Sequence, residues 1–216
     1  MTLRRSSGRA RHLLTLLGVL AVLGTAARAQ LIDRVLAVVA STPITLSDVT
    51  AAIRFGLVPS SSTGGPTDDA ALNALVDRQL QLIEVNRYLP PEPSPNQIDA
   101  QVAQVRARFD SPAAFDRALV ETGISIEQLR GNVRNTLRIQ SYIQQRFGGN
   151  YEPAEDELTR YYRAHEADFT SNGVVAPYDR VRQEVRRRLV AERTDTLVRS
   201  WIADLRRRSD VAILPK

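Results

Sequence analysis

The chain has 216 residues, a formal charge of +5 and no cysteine, so neither a disulfide framework nor a lipid-bearing cysteine is available to it. Five of its 29 basic side chains are arginines of the first 29 residues, which hold no acid; the other 187 residues carry 24 basic and 24 acidic groups. That balance removes the main support for a nucleic-acid partner, and 187 residues are enough to bury a core without covalent staples.

The first 29 residues read as an export address. Arg4, Arg5, Arg9 and Arg11 make a positive n-region, 13–23 an apolar h-region, and Ala27-Arg28-Ala29 a small-x-small cleavage site. The apolar run falls short of the roughly 20 residues that span a bilayer. The expectation is a Sec-type signal peptide cleaved after Ala29, leaving a soluble exported protein with no stable membrane anchor.

Residues 31–39 mix the β-branched Ile32, Val35 and Val38 with Leu and Ala and predict a short buried strand. Ser41-Thr42-Pro43 reads as a turn, followed by a helix to about Phe55 that either Thr45 with Asp48 or Ser47 alone caps. The Ser- and Gly-rich stretch 59–66 reads as a surface loop. Asp68 or Asp69 opens an amphipathic helix through Leu72, Leu75, Val76, Leu80 and Ile83, which ends near Tyr88 because Pro90, Pro91, Pro93 and Pro95 cannot continue it.

Ser94-Pro95 starts a helix with the stripe Ile98, Val102, Val105 and Phe109, and Ser111-Pro112 starts a short one that Gly123 breaks. Ser125 with Gln128 forms a capping box for a helix carrying Leu129, Val133, Leu137, Tyr142 or Ile143, and Phe147, stopped by Gly148-Gly149. Pro153 begins a helix with early acids. From Pro177 a helix of about 30 residues and about 45 Å presents Tyr178, Val181, Val185, Leu189, Leu197, Trp201 and Leu205. The terminal run 211–214 is a strand, expected beside 35–39.

Side chains able to do chemistry are few. His165 is the one histidine after position 29, and His165-Glu-Ala-Asp168 lacks the second histidine of a zinc-protease helix. With no cysteine, the usual nucleophile-base pairs have no partner. Glu155, Asp156 and Glu157 favour electrostatic capping of a first turn over acid/base work. Tyr161, Tyr162 and Trp201 read as packing residues, and Arg186-Arg187-Arg188 and Arg206-Arg207-Arg208 as solvated helix faces. No catalytic, cofactor-binding or metal-binding residue is assigned, and no cofactor.

Taken in order, the segments resemble the SurA-type periplasmic chaperones and their parvulin-containing relatives. The likeness rests on Ile32-Asp-Arg-Val-Leu-Ala-Val-Val39 with Ile44-Thr-Leu-Ser-Asp48, on Ala74-Leu-Val-Asp-Arg-Gln-Leu80, and on Leu129-Arg through Leu137-Arg-Ile-Gln140. It continues in Glu157-Leu-Thr-Arg-Tyr-Tyr162 with Phe169, and in Pro177-Tyr-Asp-Arg-Val-Arg182 with Trp201 downstream. The resemblance implies a mainly α fold, a multi-helix SurA-type, trigger-factor-like chaperone module with a small pair of strands from the N- and C-terminal ends.

In that family parvulin prolyl-isomerase domains are inserted before the last helix. Here seven residues, 170–176, separate Phe169 from Pro177, with Asn172-Gly173 as a turn. A parvulin domain cannot fit there. The implied division is a signal peptide 1–29, a helical chaperone lobe 30–169, the junction 170–176, and a C-terminal helix and strand 177–216 that packs back on the lobe.

The implied function is a non-enzymatic, ATP-independent periplasmic holdase for unfolded outer-membrane or periplasmic proteins. Its clients would lie in a groove between the lobe and the last helix, lined by apolar side chains and rimmed with arginine. Periodicity does not separate core-facing from client-facing positions, so no client-binding residue is assigned. Two other readings stand beside it. One is a peptidyl-prolyl isomerase relative with degenerate or absent activity; the other is a dimeric assembly or scaffold protein, clasped through the 59–66 loop and the long last helix.

Overall fold

The computed structural model describes residues 33–58, 69–149, 151–171 and 173–215. The expected signal peptide, the 59–66 loop and Asn172 lie outside the described residues. Seven α-helices and five short strands occur among those described.

β1 (Val35–Val39) and β2 (Thr42–Thr45) form an antiparallel hairpin through a two-residue turn in which Ala40 and Ser41 both have positive φ, 45° and 70°. The turn therefore lies one position earlier than the expected Ser41-Thr42-Pro43, and Thr42 and Pro43 are strand residues. Pro43 is tolerated because β2 is an edge strand, where a missing N–H breaks no ladder. The register of β1 against β2 shifts between Val35 and Ala37.

β5 (Val211–Ile213) pairs antiparallel with β1, Ala37 opposite Ile213 and Val39 opposite Val211. The expected pairing of the two chain ends is present. The sheet has three strands rather than two, in the order β2-β1-β5.

Local capping sets most helix starts. Thr45 and Asp48 make a capping box on α1 (Leu46–Arg54), while Ser47 is engaged by Asp33. α2 (Asp69–Tyr88) follows. Ser94 with Gln97 caps α3 (Pro95–Arg106), Ser111 caps α4 (Pro112–Thr122), and Ser125 with Gln128 caps α5 (Ile126–Phe147). Each such cap is worth about 1 kcal/mol. α4 ends on Gly123 at φ 70°, a left-handed C-cap. Phe109 falls beyond α3 and packs on Phe55 and Phe115, with ring centroids 5.7 and 5.4 Å away.

α6 (Glu155–Ala164) runs into a 3-10 turn, Glu166–Phe169, and then a small hairpin of β3 (Thr170–Ser171) and β4 (Val174–Val175). α7 (Tyr178–Arg208) has 31 residues. At 1.5 Å per residue it is about 46 Å long.

Three apolar clusters explain the layout. The largest joins Leu36 and Val39 of β1, Val76 and Leu80 of α2, Ile139 and Tyr142 of α5, and Trp201 and Leu205 of α7. A second gathers Phe55, Val105, Phe115 and Leu129 from α1, α3, α4 and α5. The third joins Leu158 and Phe169 to Val185.

α7 thus begins in the third cluster and ends in the first. Between them Leu197, expected on the buried stripe, is 42% exposed, because that stretch of helix crosses from one cluster to the other.

The arginine triplets do more than face solvent. Arg206 bonds Asp77 and the Asn73 carbonyl of α2, and Arg208 reaches the buried Glu84 at 3.0 Å. Arg186 pairs with Glu152, and Arg188 with Glu184 and Asp168. Of the six, Arg187 and Arg207 pair only along their own helix, with Glu184 and Asp204.

Candidate functional site

The three early acids of α6 serve separate sets of partners. Glu155 accepts from Tyr178 Oη and Arg182 Nη2, both at 2.6 Å, so it ties α6 to α7. The Arg182 hydrogen bond, helped by Tyr178, holds its carboxyl below the usual glutamate range against the opposing effect of desolvation. Asp156 pairs with Arg160, and Glu157 accepts the Ala154 N–H and the Tyr151 hydroxyl, both at 3.0 Å. No two of these carboxylates share a proton site.

His165 stacks on Tyr161 with centroids 4.1 Å apart, and its Nδ1 lies 2.9 Å from the Tyr161 carbonyl. No group of three His, Asp or Glu side chains able to hold a metal ion occurs among the described residues. Tyr162 donates to the Ala176 carbonyl at 2.8 Å and packs against Phe169 and Tyr178. Trp201 is 5% exposed between Tyr142 and Phe147, with centroids 5.4 and 5.5 Å away.

Four concavities gather around the C-terminal half of α5. An open groove of about 800 Å³ lies between the end of α5 and α7, bordered by Gln144, Gly149, Tyr151, Arg186 and Val190. Gln144 also borders a depression of about 450 Å³ with Pro91, Pro93 and Leu137. Gly149 and Tyr151 border another of about 190 Å³, with Phe147, Arg193 and Leu197. Arg146 connects that one to a fourth of about 380 Å³ formed by Tyr88, Pro90 and Tyr142.

Shared walls make these four a continuous surface. Individually, three fall within the roughly 300–1,000 Å³ of ligand pockets, and together they can follow an extended chain.

The chemistry of this surface is mixed. Tyr88, 62% exposed, packs at a tilt against Tyr142, with ring centroids 5.5 Å apart, and Tyr142 leads inward to Trp201 and Phe147. The Arg146 guanidinium lies over Tyr142, Phe147 and Trp201 at 5.3 to 5.8 Å from the ring centroids. Arg193 sits 3.9 Å over the Tyr151 ring. Beside Tyr88, Leu89 is 74% exposed and has φ 47°, a left-handed conformation that costs a leucine about 1–2 kcal/mol.

Arg186 and Arg187 border the groove between α5 and α7. Beside α7 the walls mix Tyr151, Val190 and Ala191 with Gln183, Arg186 and Asp195, and Tyr88 and Leu197 border the connected depressions. Sequence reasoning missed Tyr88, Leu89, Gln144 and Arg146 as surface elements. The one signal available was Tyr88-Leu89 left outside the helical stripe in front of Pro90-Pro91.

No family model matches the chain, and no curated protein matches its sequence. Among solved structures, a chain from the work on PEB4 and the periplasmic protein Cj1289, two structurally related SurA-like chaperones of Campylobacter jejuni, is similar in fold. The TM-score is 0.53 at 13% identity, and the match covers 85% of this chain and 100% of that one. Helix-rich, with β5 paired to β1 and the end of α7 packed against α2 and α5, this chain shares the fold of that solved structure.

Proposed function

We propose that this chain is an exported, ATP-independent periplasmic chaperone that holds unfolded outer-membrane or periplasmic proteins and catalyses no reaction. The observation that carries this reading is the continuous surface around the second half of α5. Exposed aromatic and leucine side chains there alternate with glutamines and ring-stacked arginines, a combination that meets both the apolar side chains and the unpaired backbone groups of an extended polypeptide.

The SurA-like fold supports it, as does the export address in 1–29. The proposed division is a lobe 30–169, a junction 170–176 in place of an isomerase domain, and 177–216 clamping the lobe. A holdase of this kind lowers the free concentration of unfolded client by mass action and needs no nucleotide.

The test is aggregation of a chemically denatured outer-membrane β-barrel protein diluted into buffer with stoichiometric chaperone. The chain is expected to suppress light scattering. The pair Tyr88→Ser and Leu89→Ser is expected to weaken client binding about tenfold or more, from about 1–2 kcal/mol of lost apolar contact per residue. Absence of suppression by the unaltered protein would end this reading.

A further inference from the structure

We propose that a second site, a cavity of about 210 Å³ between β2, α1, α2 and α5, binds a carboxylate carried on a short apolar group. Ile44, Ala51, Leu57, Leu75 and Ile124 supply its apolar lining, and the one cation among the lining residues is Arg78 of α2.

Arg78 donates from Nη2 to the Asn132 carbonyl at 2.6 Å, and more weakly from Nη1 to Asn132 Oδ1 at 3.3 Å and from Nη2 to Thr136 Oγ1 at 3.5 Å. All three acceptors are neutral. Its Nε is buried and has no acceptor. Among the described residues no carboxylate pairs with it, and desolvation lowers its pKa with nothing opposing the shift.

Among the described residues, the two buried charged side chains, Arg138 and Glu84, are compensated. Arg138 has Glu92 Oε1 at 3.1 Å from Nε, an ion-pair distance whose angle misses hydrogen-bond alignment, and it donates to Asn86 at 2.9 Å. Glu84 has Arg208 and Arg87 at 3.0 and 3.7 Å. Arg78 is partly buried, so its guanidinium is desolvated without a counter-charge to offset the loss, and a carboxylate is the group whose geometry matches its fork. Asp48, also on the cavity wall, is occupied in capping α1 through Thr45 N–H and Oγ1, both at 2.9 Å.

Size restricts the ligand. The volume is below the roughly 300–1,000 Å³ of drug-sized pockets, which excludes a long-chain lipid and suits a branched short-chain acid or the last residue of a polypeptide with its free carboxylate. The site is separate from the α5 surface and does not depend on the chaperone reading.

The test titrates the full chain with N-acetyl-leucine, 4-methylpentanoate and the neutral N-acetyl-leucinamide, following the Arg side-chain Nε–H resonances by NMR. Both acids are expected to shift one Nε–H resonance and to bind at least tenfold more tightly than the amide. A stronger response to N-acetyl-leucine assigns the site to polypeptide ends, and a stronger response to 4-methylpentanoate to free acids. Ile124→Trp, which fills the cavity and leaves Arg78 in place, is expected to abolish both responses. Equal binding of acid and amide, or binding of neither acid by the unaltered chain, overturns the proposal without reference to any variant.

Discussion

Leu205 and Leu197 lie eight residues apart on α7, and the fold assigns them opposite energetic roles. Leu205 is 3% exposed and belongs to the cluster that holds α7 against β1, α2 and α5; Leu197 is 42% exposed. Leu205→Ala removes about three carbon groups at about 0.8 kcal/mol each and leaves part of a cavity, so the expected cost is about 3 kcal/mol. Leu197→Ala creates no enclosed void and is expected to cost less than about 1 kcal/mol.

For a chain of this size, 3 kcal/mol lowers Tm by about 6–12 °C. Urea unfolding can be followed through Trp201, the chain's single tryptophan, which is buried at the junction of α7 with the lobe. Far-UV circular dichroism monitors the helices in parallel. Equal costs for the two substitutions, or a cost below 1 kcal/mol for Leu205→Ala, would refute the placement of the end of α7 in the main core.

Three further outcomes follow from particular contacts. Arg208→Met leaves Glu84 with only Arg87 at 3.7 Å, and because Arg208 is half exposed the cost is expected at about 1–2 kcal/mol rather than the larger penalty of a fully buried pair, measured by urea unfolding. Gly56 has φ 60° and its Cα faces the Arg108 guanidinium, which donates to the Gly56 carbonyl at 2.9 Å; Gly56→Ala is expected to destabilise by about 1–3 kcal/mol in the same assay. The Arg134 hydrogen bond, with Arg138 adding to it and desolvation opposing, holds Glu92 below its ordinary pKa. Its contribution is therefore present at neutral pH and is lost as pH falls below about 4.3 through the folded-state value, so Glu92→Gln is expected to make the acid decline of stability shallower.

The parts of the fold legible in the sequence are those decided locally. Ser94-Pro95, Ser125 with Gln128, and Thr45 with Asp48 as one of two alternatives announce helix starts because the signal lies within a few residues, and all three caps form. The pairing of the terminal strands was legible because two short apolar runs had no other partner. β2 was not, since its turn uses Ala40 and Ser41 in place of the Gly or Asn that usually marks positive φ, and Pro43 hides an edge strand.

Tertiary neighbours decided what remained. Ile139 and Arg138 are buried while Leu137, placed on the expected stripe, is only partly so, because α5 is packed from several sides by α2, α3 and α7. The α5 surface is assembled from Tyr88, Gln144, Tyr151 and Val190, residues that meet only after α2, α5 and α7 have packed. Nothing in the sequence marks Arg78 apart from its neighbours; that no acid among the described residues pairs with it is visible only in the fold.

The central claim is that unfolded chains lie along the second half of α5, and site-specific photo-crosslinking addresses it directly. A photoreactive side chain placed singly at Gln144, Gln145 or Thr194, each bordering the connected depressions, is compared with one at Val120, which is 83% exposed and borders none of them. With a denatured outer-membrane protein as client, the account predicts strong adducts from the first three positions and background from Val120. Equal yields at all four positions, or adducts confined to Val120, would contradict it.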